Sequence, residues 1–451
     1  MNTKQLKQKI LSLAISGQLV PQDPTDEPAS ELLKRIAAEK TANVPKGKKQ
    51  KITKDTSHYQ QYPPFELPKG WVWCKLGEVC DVENGYAFKS QDYKENGIPL
   101  IRISNIQEGK ISLTNTIYID KTVNEQFIVK RGDLLIAMSG ATTGKMGIYE
   151  NEEIAYLNQR VGNIRIKNEK LINNQYRDYC LMSQKDYILE LAYGGAQPNI
   201  SSAIISSLNI PLPPLAEQQR IVAEVDKLFT LIDQLEEDKT ALQQLITQLK
   251  SKILSLAIHG QLVAQDANDT PAEELLKQIN PEYKSSGNLH YKNLPKGWEV
   301  IPVKMVCKLK DGEKKENVKL PYLDVKYFRG KATSTIKENG KYIPKNTTLI
   351  LVDGENSGEI FYASAEGYQG STMKILEIEP IVDRAYILHF IKSYQKELKE
   401  NKVGSAIPHL NKKLFGELQL PLPPFVEQQR IVERVEKLFK QLDAIQNALA
   451  I

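Results

Sequence analysis

The run Leu100-Ile-Arg-Ile-Ser-Asn-Ile-Gln-Glu-Gly109 places Arg102, Ser104 and Asn105 at the end of a strand-like stretch. Arginine can read guanine, and asparagine or glutamine adenine, through paired hydrogen bonds to the base edge. Asn158, Gln159 and Arg160 carry the same chemistry. A local role stays open for both groups, with Asn105 capping a turn and Arg102 pairing with an acid. Ser139-Gly-Ala-Thr-Thr-Gly-Lys145 resembles a phosphate loop, but its spacing is one residue short, Met146 replaces the magnesium-binding hydroxyl and a strand should follow. Nucleotide binding is not assigned. Thr142, Thr143 and Lys145 can instead reach DNA phosphates or base edges, or the loop is a surface hairpin with a solvated lysine. Lys326, Arg329, Lys331, Lys345, Asn356, Ser357 and Lys374 form a comparable later set, whose lysines should meet phosphate rather than bases.

Catalytic constellations are missing from the pattern. A nuclease-like Pro-Asp with a downstream acid and lysine does not occur, and Asn280-Pro-Glu-Tyr283 lacks the second proline of a methyltransferase motif. No catalytic residue and no cofactor is expected. His259 and His409 have no Cys, His or carboxylate at ligand spacing, so no metal is assigned. Cys74, Cys80, Cys180 and Cys307 form no CxxC and read as buried free thiols. Trp71 and Trp298 read as core anchors. With no apolar run of ~18 residues and no signal-peptide core, the chain is expected to be soluble, cytoplasmic and free of membrane contact.

The elements that must position these residues are announced by a repeat with three offsets. Lys9–Asp23 recurs at 252–266, Leu-Pro-Lys-Gly-Trp at 67–71 recurs at 294–298, and 211–229 recurs at 421–439. Between these edges the two blocks differ in sequence. Each block is basic: 21 Lys and Arg face 18 Asp and Glu over 41–210, and 23 face 17 over 281–420. Such blocks suit a polyanion.

Ile221, Val225, Leu228, Ile232, Leu235, Leu242, Ile246, Leu249, Ile253 and Leu256 alternate at four and three residues, which predicts one long coiled-coil helix after Pro213-Pro214 and before Gly260. The C-terminal copy repeats its first half and the N-terminal copy its second. Both terminal helices should therefore run antiparallel to it, closing a pseudo-twofold repeat. Strand signals dominate each block, with helices near 172–192 and 381–402. The expected class is α+β: two mixed α/β recognition domains joined by a long antiparallel coiled coil. Its parts are a helical region at 1–40, a linker at 41–66, a first domain at 67–214, a central coiled-coil helix at 215–280, a linker at 281–293, a second domain at 294–424 and a C-terminal helix at 425–451. The lysines at 46, 48, 49, 51 and 54 belong to the first linker.

PLPPxxEQQRIV, ILSLAIxGQLV, LPKGW, Gly85-Tyr-Ala-Phe-Lys89, Ser139-Gly140 with Gly144-Lys145, and Leu157-Asn-Gln-Arg160, by their order along the chain and their partial duplication, resemble the specificity subunit of type I restriction-modification systems along the whole chain. The resemblance implies two target-recognition domains, each reading half of a split double-stranded DNA site, Lys89 among the contacts. It also implies two methylation subunits docked on the helices, restriction subunits recruited through the complex, and no active site of the chain's own. Two other classes compete. A self-contained DNA methyltransferase would transfer methyl groups when purified alone. A coiled-coil adaptor would show no salt-dependent DNA shift.

Overall fold

The computed structural model describes residues 2–42, 65–107, 109–193, 198–285, 291, 293–403 and 408–449. The lysines at 46–54 lie outside them. The chain divides into two units, Met1–Glu237 and Asp238–Ile451.

In the first unit, helix Thr3–Ile15 begins with a reciprocal cap, Gln5 N donating to Asn2 Oδ1 at 2.8 Å and Asn2 N to Gln5 Oε1 at 3.1 Å. It runs antiparallel to the first half of the central helix Leu215–Ile258, since Thr3 bonds Glu236 and Lys7 pairs with Asp233. Ile10, Leu11 and Ala14 join Ile221, Val222 and Val225 in one buried cluster. Gly17 follows the helix at φ +69°, and a Cβ there would lie 2.3 Å from Pro68. Only glycine allows this left-handed turn with a proline pressed on it. The Gly-Gln-Leu-Val and Leu-Pro-Lys-Gly-Trp motifs recur together because they pack together. Trp71 Nε1 donates to Glu217 Oε2 at 2.9 Å and Gln22 to Oε1 at 3.1 Å. Burial raises the Glu217 carboxyl above its usual range, while these two donors pull against it.

The first block starts and ends on one antiparallel pair, Val72–Lys75 with Asn209–Leu212. Between them stand two five-stranded sheets. One runs Cys80–Asn84, Val161–Ile166, Leu134–Ala137, Met146–Ile148, Gly109–Lys110; the other runs Tyr93–Lys94, Ile117–Ile119, Ile98–Ile101, Ala155–Leu157, Ile128–Val129. Helices Asn174–Ser183 and Lys185–Ala192 follow. Leu134, Ile136, Ile164, Cys180 and Leu181 form part of the largest core of this unit, and all four cysteines of the chain are buried free thiols, as expected.

The second unit repeats the frame. Gly260 sits under Pro295 as Gly17 does under Pro68, again at 2.3 Å. Trp298 Nε1 donates to Glu427 at 3.0 Å and Gln265 to the same carboxylate at 3.1 Å. Tyr386 donates to Pro421 O at 2.6 Å where Tyr176 donates to Pro211 O at 2.7 Å. Helix Phe425–Ala448 runs antiparallel to the second half of the central helix: Lys250 bonds Asp443, while Leu254 and Ile258 share a cluster with Ile431 and Val435. Glu299–Pro302 pairs with Gln419–Leu422 to close the block. A four-stranded and a five-stranded sheet stand between, so blocks unlike in sequence share one plan.

The seam departs from its expectation along its second half. Ile221, Val225, Ile232 and Ile246 are buried, but Leu235, Leu242 and Leu249 are exposed, and Leu254, Ala257 and Ile258 are buried instead of Ile253 and Leu256. Leu235, Leu242 and Leu249 recur every seventh residue and so share one line of the helix, which is left bare, while the line of Val225, Ile232 and Ile246 is covered.

Candidate nucleic-acid interface

Three of the singled-out segments meet at one edge of the first block. Strands Ile98–Ile101 and Ala155–Leu157 are parallel, so Arg102 and Asn158 leave the sheet side by side, with Asn158 N donating to Ile101 O at 3.1 Å. Met138 N donates to Arg160 O at 2.9 Å, bringing in the loop that follows Leu134–Ala137. Ile103 Cδ1 lies 3.6 Å from where a Cβ on Gly140 would be, so the turn at 103–105 rests on that loop. Gly85 is required nearby: its Cβ would fall 2.2 Å from Asn158 O, and the approach lets Tyr86 exchange backbone bonds with Leu157 and Gln159.

At this edge Lys89, Ser104, Lys145, Gln159 and Arg160 are exposed, while Arg102, Thr142 and Asn158 are half-buried. Arg102 Nε and Thr142 Oγ1 are enclosed with no hydrogen-bond partner among the described residues. A buried donor without a partner costs about 1–3 kcal/mol, which a ligand acceptor can recover.

Two expected contacts are withdrawn here. Asn105 is only 3 % exposed, and its amide donates to Ser112 O and Thr116 Oγ1, both at 3.0 Å, while its oxygen accepts from Arg102 N. It holds the turn that aims Arg102. Thr143 is buried with its hydroxyl on Gly140 O at 2.6 Å and Pro198 O at 3.2 Å, so it shapes the loop from within.

The second block builds the same edge from different side chains. Leu320–Leu323 and Gly367–Gln369 are parallel, Gly370 N donates to Leu323 O at 3.1 Å and Val352 N to Thr372 O at 2.8 Å. Its loop Asp353-Gly-Glu-Asn-Ser-Gly-Glu359 is the counterpart of 139–145. Gly354 and Gly358 have positive φ as Gly140 and Gly144 do, and Ser357 Oγ donates to Gly354 O at 2.6 Å. Ser357 is therefore also withdrawn. The shared Gly-x-x-x-Gly after an apolar strand is the signal that could have found this match.

Lys326, Arg329, Lys331 and Asn356 lie on this edge: Lys331 N donates to Lys326 O at 2.9 Å, and Arg329 pairs with Glu359. Lys374 is engaged by Asp311 at 2.6 Å, which Lys341 also reaches at 2.9 Å. Burial alone would raise the Asp311 carboxyl, but these two ammonium groups and Gln369 hold it well below the usual range. Lys345 is not brought to the group, because it precedes strand Thr348–Leu351 and so stands at the opposite end. His409, which has no carboxylate at ligand spacing in the sequence, has Nδ1 2.7 Å from Asp353 Oδ1, since a bridge joins the two backbones.

The model of the type I restriction-modification DNA specificity domain matches this chain twice, at residues 68–244 and 295–450. The chain belongs to that specificity family. It is 38 % identical over 242 residues to the EcoAI type I restriction enzyme specificity subunit of Escherichia coli, across 51 % of this chain and 40 % of that protein. To the EcoBI specificity subunit of the same species it is 27 % identical over 420 residues, covering 86 % and 84 %. The chain spans about half the length of the relatives it matches at 32 % identity or more. A solved chain, from work on complex assembly and conformational transition of the type I restriction-modification system, has a TM-score of 0.57 at 20 % identity. It covers 86 % of this chain and 94 % of that one, and it shows the same fold. The two matches to the specificity domain fall largely one in each unit.

Proposed function

We propose that this chain is the non-catalytic DNA-recognition subunit of a type I restriction-modification complex in the cytoplasm. Its blocks, at 67–214 and 294–424, each read one half of a bipartite double-stranded site. One observation carries the reading: the same edge is built twice, on one frame, with different donors and acceptors. Arg102, Ser104, Thr142, Lys145, Asn158, Gln159 and Arg160 meet the first half-site, with Lys89 beside them. Lys326, Arg329, Lys331 and Asn356 meet the second, while Lys374, held by Asp311, is an outlying phosphate contact.

The helices serve as the platform for two methylation subunits, and restriction subunits join through the complex. In the first unit Leu231 and Leu235 are 54 % and 60 % exposed; in the second Leu242, Leu245, Leu249 and Ile445 are uncovered. Rows of exposed leucine on a helix suit burial by another protein. The blocks carry few net charges, so the purified chain should bind DNA weakly and without sequence preference, and sequence-specific binding should appear only with the methylation subunit. Electrophoretic shift with both preparations tests this; tight specific binding, or methyl transfer, by the chain alone contradicts it.

A further inference from the structure

In the second unit a cleft of about 710 Å³ opens between the recognition block and the central helix. Leu254 and Ser251 of the central helix line one side. The remaining walls carry Arg329 and Lys331, from the segment after the helical turn Val325–Phe328, and Lys392, Lys396 and Lys399 from helices Arg384–Ser393 and Gln395–Glu400. Glu359 is the one carboxylate in the lining, and it pairs with Arg329. Lys396 lies 3.8 Å from Glu400, and Lys392 sits 5.4 Å from the Phe439 ring centre. Five cations around one carboxylate leave a concave surface of net charge +4. Like charges facing one volume repel, and a polyanion relieves that repulsion.

We propose that this cleft is a phosphate clamp for the DNA backbone flanking the second half-site. The inference rests on the DNA-reading function proposed above. Two features favour a strand backbone over a free nucleotide. Among the described residues the lining holds no aromatic ring on which a base could stack, and it shares Arg329, Lys331 and Asn356 with the reading edge, so a duplex held there continues into the cleft. Among the described residues the first unit lacks these helix lysines. Tyr176 and Tyr386 are equivalent, and by the same offset of 210 residues Met182, Asp186 and Leu189 stand where Lys392, Lys396 and Lys399 do. The hold on DNA is therefore lopsided: the second unit supplies more of the sequence-independent affinity.

The test is fluorescence anisotropy of the full-length chain with a short labelled duplex over a salt series. Lys396 and Lys399 are exposed, so Lys396→Gln/Lys399→Gln should leave the melting temperature unchanged. The double variant is expected to bind about tenfold more weakly, and its log–log salt slope should be shallower by roughly two, whatever the duplex sequence. Asp186→Gln/Leu189→Gln in the first unit should leave both no weaker than in the wild type. If wild type binds with a salt slope that the lysine variant retains, the clamp is overturned and DNA reading stands. Salt-independent or absent binding by wild type overturns both. Competition by inorganic tripolyphosphate as strong, mole for mole, as by duplex marks a small-anion site and also overturns the clamp.

Discussion

The loop joining Leu134–Ala137 to Met146–Ile148 in the first unit, and the loop joining Thr348–Leu351 to Ile360–Tyr362 in the second, share a backbone and differ in charge. Both keep two glycines at positive φ and a hydroxyl turned back onto the first glycine's carbonyl. Their tips carry Thr142 and Lys145 in one case, Asn356 and Glu359 in the other. Positions that fix the chain path are held, while positions that face outward are free to differ, as the proposed recognition of two different half-sites requires.

The interior differs too. In helix Asn174–Ser183, Arg177 is buried, donating to Ile164 O at 3.0 Å, Gly132 O at 2.9 Å and the Asp178 carboxylate at 2.6 Å. Burial pushes the Asp178 carboxyl up, and Arg177 opposes that shift. At the matching positions of Arg384–Ser393 stand Ile387 and Leu388. One unit ties this helix to its sheet with a buried ion pair, the other with apolar packing.

Breaking the comparison begins there. Arg177→Ala leaves Asp178 buried without its cation and should cost about 3–5 kcal/mol in chemical denaturation. Arg177→Ile/Asp178→Leu, which imports the second unit's solution, should recover most of that loss; a double variant as unstable as the single one would show that the pair is not interchangeable with apolar packing.

A smaller effect is expected at His389, which meets Phe439 edge-on at 5.9 Å where Tyr179 meets Phe229 at 5.7 Å. Burial, aided by Lys392, lowers its pKa to about 4. Above pH ~6.5 it is neutral folded or unfolded and contributes no pH dependence. As the pH falls from about 6.5 to about 4 the unfolded chain takes up a proton that the folded one refuses, so stability drops by up to about 3 kcal/mol. His389→Phe should remove that part of the slope between pH 7 and 4.5; an unaltered slope would place the titration elsewhere.

The smallest change concerns the loop tips. Glu359→Lys should steepen the log–log salt slope of DNA binding by roughly one to two, because it adds a cation and releases Arg329, and Lys145→Glu should make it shallower by about one. Slopes unmoved in both variants would take these tips off the DNA.

The helix pairs, the strand-rich blocks and the packing of Trp71 and Trp298 were legible because their residues are duplicated or periodic. Spacing by seven identifies Leu235, Leu242 and Leu249 but not which line of the helix is covered. Asn105 was ambiguous because its partners, Ser112 and Thr116, come from a returning segment that sequence does not place. Lys345 was grouped with side chains from which its strand separates it. The cationic cleft is not legible in the sequence, since Lys392, Lys396 and Lys399 meet Arg329 and Lys331 only in the fold.

The central claim is that each unit reads its own half-site. Its most direct test replaces residues 72–193 with the equivalent block of another family member and sequences the methylated bases in cells carrying the hybrid. One half of the modified site should change and the other should stay as in wild type. A change in both halves, or in neither, would contradict the account.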